Sequence, residues 1–212
     1  YQYYMNPSKV AMAGKIQPNG SYLKGIEDFI PSSQYNCDKH HLKVVEDIKE
    51  NWVTLSLNSK FHALLATESI PEAIAYYRLL RKEMPTLKVT ALFDPNIDNT
   101  GGQTFKEEGL IEVLEGYKEQ FGKTYTMSTH AAFKQDVALR LAHKKPYNGK
   151  DFTKDKQIDL LIVVNQMLTG FDSKWINTLY VDKVMEYENI IQAFSRTNRL
   201  FGPDKPFGVI RY

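Results

Sequence analysis

Cysteine is almost absent from this sequence: Cys37 is the only one in 212 residues. A single thiol cannot close an internal disulfide, and the expected setting is therefore the cytoplasm. Long hydrophobic runs are missing as well. The longest lies around Leu160 to Val164, far short of the roughly 18 apolar residues that a membrane span requires, so no membrane partner is expected. Charge of one sign is not in excess, because 27 Lys and Arg against 25 Asp and Glu leave a net +2. That balance is too mild for a module whose whole business is a basic nucleic-acid face. The start carries no basic-then-apolar signal and residue 1 is tyrosine, so the expectation is a piece excised from something larger. What is present is ordinary for a globular domain. With 42% hydrophobic and 25% charged residues, the composition excludes a disordered chain. The length suffices for one well-cored domain with some left over.

Two textures divide the chain. Residues 1–57 combine Asn-Pro, Gln-Pro-Asn-Gly and Ile-Pro-Ser-Ser punctuation, expected as irregular linker, with an amphipathic helix from Asp38 to about Leu57. Residues 58–212 alternate strand and helix. Strands are expected at Phe61–Ala66, Val89–Phe93, Asp159–Val164, Thr178–Val181 and Phe207–Ile210. Asp159–Val164 is apolar on both faces, as a central parallel strand should be. Ser69-Ile70-Pro71-Glu72 is a capping box with an early proline, and it starts a helix that ends at Pro85. Another helix is expected from about Glu188 to Leu200. The stretch from about 96 to 157 is too long for a plain connection and reads as an insertion with two helices, through Leu110, Leu114 and Tyr117 and through Phe133, Val137 and Leu141. Alternation of this kind indicates an α/β fold with a mostly parallel central sheet.

Several tempting signals carry no chemistry. Gly122-Lys123-Thr124 lacks the glycine five positions earlier that a phosphate loop needs, since Tyr117 stands there, and no strand precedes it. Asn19-Gly20-Ser21 is a turn. His40, His41, His62, His130 and His143 lack metal-ligand spacing, and His62 is expected as a hydrogen-bonded core histidine. No metal ligands are assigned. Cys37 is not assigned as a nucleophile, since the sequence marks no base for it. Asp47-Ile48-Lys49 reads as a solvated helix face.

Two segments are chemically pointed. On a helix turning about 100° per residue, Gln192, Arg196 and Arg199 fall within roughly 60° of one another, while Ile190, Ile191 and Phe194 take the opposite side, toward a sheet. Acidic residues are scarce nearby, the next after Glu188 being Asp204. Two arginines and an amide on one stripe make an edge for recognising an external anion. The segment Asn165 to Asp172 follows an apolar strand, where open α/β sheets place their ligand crevice. There Gly170 allows close backbone approach, Thr169 offers a hydroxyl to a phosphate, and Asp172 can hold a ribose or orient an arginine.

Together, Phe61–Ile70, Val163–Asp172 and Gln192–Arg199 resemble motifs IV, V and VI of a superfamily 2 helicase. The fuller stretches Phe-His-Ala-Leu-Leu-Ala-Thr, Asp-Leu-Leu-Ile-Val-Val…Leu-Thr-Gly-Phe-Asp and Gln-Ala-Phe-Ser-Arg-Thr-Asn-Arg are similar to the motor (R) subunit of type I restriction enzymes. The resemblance covers about Asn51 to Tyr212. It implies a second RecA-like domain, three-layered, in an ATP-driven DNA translocase and endonuclease. Arg196 and Arg199 are then fingers on the γ-phosphate, supported by Gln192. Gly170 and Asp172 lie near the nucleotide, and Thr67 and Thr169 meet the backbone of double-stranded DNA. ATP with Mg2+ is held mainly by the first RecA-like domain. The further implied partners are that domain, a nuclease domain, and the modification and specificity subunits. Asn165 departs from the pattern, which has an aspartate there, so no acidic role is assigned to it.

Two alternatives accompany this reading: the second motor domain of another superfamily 2 helicase or remodeller, and a non-catalytic protein-binding α/β module whose arginines dock an acidic partner. The missing phosphate loop gives a first prediction. The isolated chain should not hydrolyse ATP, with or without DNA. DNA-dependent phosphate release by the purified chain that survives Arg196→Ala would overturn the motor-domain assignment.

Overall fold

The Ser69 hydroxyl accepts from the Glu72 amide, and the Glu72 carboxylate accepts in return from the Ser69 amide, closing the capping box that starts a helix at Ile70. This reciprocal cap satisfies two of the amides that every helix start leaves open. In the computed structural model the described residues are 15–24, 37–96, 102–150, 152–164, 173–183, 191 and 194–211. The chain divides into two compact units, 1–44 and 45–212. The first contains a short hairpin, β1 (Lys15–Ile16) and β2 (Tyr22–Leu23), paired antiparallel. Within the stretch expected as irregular linker, this hairpin is the described regular structure. Strands of two residues are too short to show alternation, and the turn between them is held by Ser21 donating to the Asn19 side chain.

Helix α1 (Asp38–Leu55) spans the division. The second unit then runs β3 (His62–Thr67), α2 (Ile70–Glu83), β4 (Val89–Leu92), α3 (Gln103–Phe121), α4 (His130–Leu141), β5 (Leu160–Val164), β6 (Ile176–Asp182) and β7 (Val209–Arg211). The five strands β3 to β7 form one parallel sheet in the order β4-β5-β3-β6-β7. With flanking helices, this is a RecA-like α/β architecture. Every residue of β3 and β5 is buried, as expected where helices cover both faces of a parallel sheet. As expected, β5 is an interior strand, between β4 and β3, and the middle place belongs to β3. An apolar run reports that both faces are covered, but not which rank the strand holds.

The two helices expected between β4 and β5 both form, and α3 is tied to the sheet edge. The Gln120 side chain accepts from the Val89 amide (3.0 Å) and donates to the Val89 carbonyl (3.0 Å). These bonds satisfy backbone groups that edge strand β4 would otherwise leave open. Across α2 and α3, Arg78 pairs with Glu112 (2.6 Å) and Arg81 with Glu119 (2.9 Å). The Gly122-Lys123-Thr124 decoy has a structural use. Gly122 takes the left-handed conformation that ends α3, for which glycine has no steric penalty. Lys123 then reaches Asp136 at 2.6 Å.

Asp136 is the hub of a buried polar network. It accepts from Tyr117 (2.6 Å), Lys123 (2.6 Å) and the Tyr147 hydroxyl, and Arg140 lies 3.6 Å away with 3% of its side chain exposed. Burial alone pushes the Asp136 carboxyl up. The bonds from Lys123, Tyr117 and Tyr147 outweigh it and leave the group below the usual carboxylate range. Asp136→Ala should therefore destabilise the chain by about 3–5 kcal/mol, because it strands the buried Arg140 charge. The stability that Asp136 supplies should be complete above the ordinary carboxylate range and lost as pH falls through its depressed value. Urea unfolding of both chains across acidic pH tests this: equal stability near neutral pH would show that the network contributes nothing.

Candidate functional site

Parallel strands give the sheet two chemically different edges. At the C-terminal edge Thr67 lies in register with Val164 and Asp182. Here Glu72, buried by its own capping bonds, has its carboxyl pushed up by burial and then by the nearby charge of Asp182. The Tyr76 hydroxyl donates to Asp182 across the same edge. Thr67 is 0% exposed, and its hydroxyl sits 3.4 Å from both the Ser69 and Val163 carbonyls. The hydroxyl expected to meet a DNA phosphate is instead committed inside the edge. In a strand buried on both faces, no alternation in the sequence signals that this hydroxyl is buried.

From Val164 the chain enters 165–172, so Asn165, Thr169, Gly170 and Asp172 lie outside the described residues, as does Gln192. The chain re-emerges at the opposite edge. Ser173 donates to the Leu141 carbonyl (2.7 Å), and the His62 amide at the start of β3 donates to the Trp175 carbonyl (2.8 Å).

The segment carrying Arg196 and Arg199 also lies at this N-terminal edge. It is not the continuous helix expected. Ile191 and Phe194 are helical, Ser195 to Thr197 is a turn, and Asn198 to Leu200 is irregular. A helical bond runs from the Ser195 amide to the Ile191 carbonyl (3.0 Å). The Thr197 amide and hydroxyl then both bond the Phe194 carbonyl, at 3.3 and 3.2 Å. A threonine hydroxyl taking a helix carbonyl in this way competes with the helix ladder. Ile191 (72% exposed) and Phe194 (40% exposed) do not face the sheet as expected. Arg196 is half-buried and Arg199 exposed, and their relation is set by a turn, not by helical pitch.

Thr197 is held from the far side by Gly208. A Cβ on Gly208 would stand 2.4 Å from the Thr197 carbonyl oxygen and 2.5 Å from its hydroxyl. Beneath Arg199, Lys205 is buried, its ammonium donating to the Ile176 carbonyl at 2.6 Å. Aromatic rings fill the same edge: Phe201 packs on Trp175 (4.5 Å) and on Phe61 (5.6 Å). His62 and His143 share a hydrogen bond there at 2.8 Å. Burial first and His143 second push the His62 imidazole down to about 3, and burial with Lys174 pushes His143 down to about 4. Both rings are neutral near pH 7, so the expectation of a hydrogen-bonded core histidine holds. Asp47, expected on a solvated face, instead pairs with Arg211 on edge strand β7.

Neither Lys205 nor Gly208 stands out in the sequence. Lys205 sits in a polar turn, and Gly208 merely precedes a strand. Of the cations at this edge, Arg196 and Arg199 remain partly or fully exposed, while Lys205 is buried on backbone carbonyls. Among the described residues no group of His, Cys, Asp or Glu side chains is placed to hold a metal ion. No described helix is long and apolar enough to cross a membrane.

Fold and site together define a RecA-like α/β domain with an arginine-bearing segment at the N-terminal edge of its sheet. Residues 59–212 match the family described as type I restriction enzyme subunit R, domain 3, and the chain belongs to that family. It is 36% identical over 182 residues to the endonuclease subunit of a type I restriction enzyme from Staphylococcus aureus, covering 82% of this chain and 19% of that one. A corresponding subunit of Staphylococcus saprophyticus is 37% identical over 177 residues, covering 79% and 18%. A 43-residue stretch is 60% identical to the N-terminal part of a Mycoplasma pneumoniae endonuclease subunit, covering 20% and 11%. The chain spans about a fifth of the length of the staphylococcal relatives.

The contact at Gly208 generates a prediction of sign. At a site with room, Gly→Ala stabilises by about 0.4–1 kcal/mol through the unfolded chain. Here the added methyl meets backbone that cannot give way, so Gly208→Ala should destabilise by about 1–3 kcal/mol. A denaturation midpoint at or above that of the parent chain would show that Thr197 is not fixed by this contact.

Proposed function

We propose that this chain is the second RecA-like motor domain of the ATP-dependent DNA translocase and endonuclease subunit of a type I restriction–modification system. The observation that carries the proposal is the family match over residues 59–212 together with the clamped Arg196–Arg199 segment. The domain has arginines but no phosphate loop, so its part is to complete an ATP site built mainly by the first RecA-like domain, which holds ATP and Mg2+. Arg196 and Arg199 stabilise negative charge developing on the γ-phosphate, and Gln192 supports them. Gly170 and Asp172 lie toward the nucleotide, and Thr169 meets a DNA phosphate. Thr67 acts at the root of that loop through its buried bonds. Sequence readout belongs to a separate specificity subunit, because phosphate contacts position a protein without reading bases. The remaining partners are double-stranded DNA, the nuclease domain of the same subunit, and the modification subunit.

The test uses the full-length subunit. Arg196→Ala or Arg199→Ala should lower DNA-dependent ATPase by about 10³- to 10⁵-fold, since a finger acts only on transition-state charge. DNA affinity should stay near that of the parent. Lysine should substitute poorly, lacking the planar fork of the guanidinium. Parallel losses of DNA affinity and ATPase would instead assign the arginines to a general DNA-binding patch.

A further inference from the structure

Lys205 is an unusual residue to bury. It is 1% exposed, and its ammonium donates to two backbone carbonyls, Ile176 at 2.6 Å and Lys174 at 3.2 Å, where the chain enters β6. The adjacent Asp204 pairs with Lys60 instead, at 2.5 Å. Burial, and after it the charge of Arg199, push the Lys205 ammonium down to about 8. A cation desolvated beside another cation costs stability. An apolar side chain would hold this turn to the Phe61, Trp175 and Phe201 rings without that cost. What the ammonium adds is direction: two bonds of defined length to a rigid strand.

The chain from Thr197 to Gly208 is closed at three levels. Thr197 abuts Gly208 at its base. The Phe201 amide donates to the Lys205 carbonyl (3.0 Å) and the Lys205 amide to the Gly202 carbonyl (3.3 Å), forming a tight turn. The Lys205 side chain then ties that turn to β6. Arg199 sits midway between Thr197 and Phe201 in sequence, so both ends of its short span are fixed.

We propose that Lys205 is the positioning residue for Arg199, its carbonyl bonds at the entry to β6 setting the height and direction at which the arginine leaves the domain. The inference rests on the reading of Arg199 as an arginine finger. Lys205 meets no nucleotide. It acts by holding the guanidinium where transition-state charge appears, and small misplacements of such a group carry large rate penalties.

A double-mutant cycle in the full-length subunit, read as steady-state DNA-dependent ATPase, tests this with Lys205→Met, Arg199→Ala and the pair. Lys205→Met should lower kcat by about 10- to 100-fold, with KM for ATP and DNA affinity unchanged. The pair should be no slower than Arg199→Ala alone, since both changes remove one contribution. Losses that multiply, or a Lys205→Met loss shared by KM and DNA affinity, would overturn the inference. So would a Lys205→Met kcat equal to that of the parent when Arg199→Ala is severely impaired; the finger reading would then survive alone. If Arg199→Ala itself retains full kcat, the finger reading falls and this inference with it. Should Lys205→Met fail to fold, Lys205→Gln, which keeps an amide donor, enters the same cycle with the same overturning outcomes.

Discussion

The pairing of β3 on both sides is the constraint on which the rest of this domain depends. It shares its ladder with β5 through Ala63↔Leu160 to Thr67↔Val164 and with β6 through Ala63↔Thr178 to Thr67↔Asp182. A strand in that place has no edge, and every position from His62 to Thr67 is buried. A buried histidine in such a strand must be neutral and bonded, and His62 finds its partner in His143. Thr67 spends its hydroxyl locally, on the Ser69 and Val163 carbonyls.

Parallel pairing also separates the functional segments. Each strand begins at one edge and ends at the other, so every connection must return across the domain. The segment after β5 therefore starts at the edge of Thr67 and Asp182, and Ser173 and Trp175 stand at the edge where β3 and β6 begin. The arginine-bearing turn approaches that second edge from β7, pinned by Gly208 and Lys205. Glu72 and Asp182 stand close together at the first edge, and Lys205, with Arg199 near it, stands at the second.

Local signals proved legible wherever a short stretch of chain settled its own conformation. Ser69 and Glu72 cap each other within a single turn, and α2 starts where that pair places it. The apolar runs at His62–Thr67 and Leu160–Val164 became strands because β-branched and aliphatic residues buried on both faces have few other stable arrangements. Gly122-Lys123-Thr124 was excluded as a phosphate loop by its missing neighbours and serves as a helix end. The arginine segment was misread because helical periodicity persists through Arg199 although the helix does not. Where it turns, the Thr197 hydroxyl takes the Phe194 carbonyl and Thr197 abuts Gly208, which lies eleven positions further along the chain.

The sequence by itself determined the fold class, the succession of strands and helices, and the residue types able to meet an anion. Those follow from periodicity, capping and turn chemistry, which act over a few residues. Only the tertiary structure decided which strand lies in the middle, which edge carries the arginines, and that Lys205 is buried against β6 while Thr67 is sealed. Those outcomes come from bonds between residues far apart in the chain: Lys205 to Ile176, Gln120 to Val89, Arg211 to Asp47. No local pattern encodes them, because the partners meet only after the sheet has formed and brought their edges together.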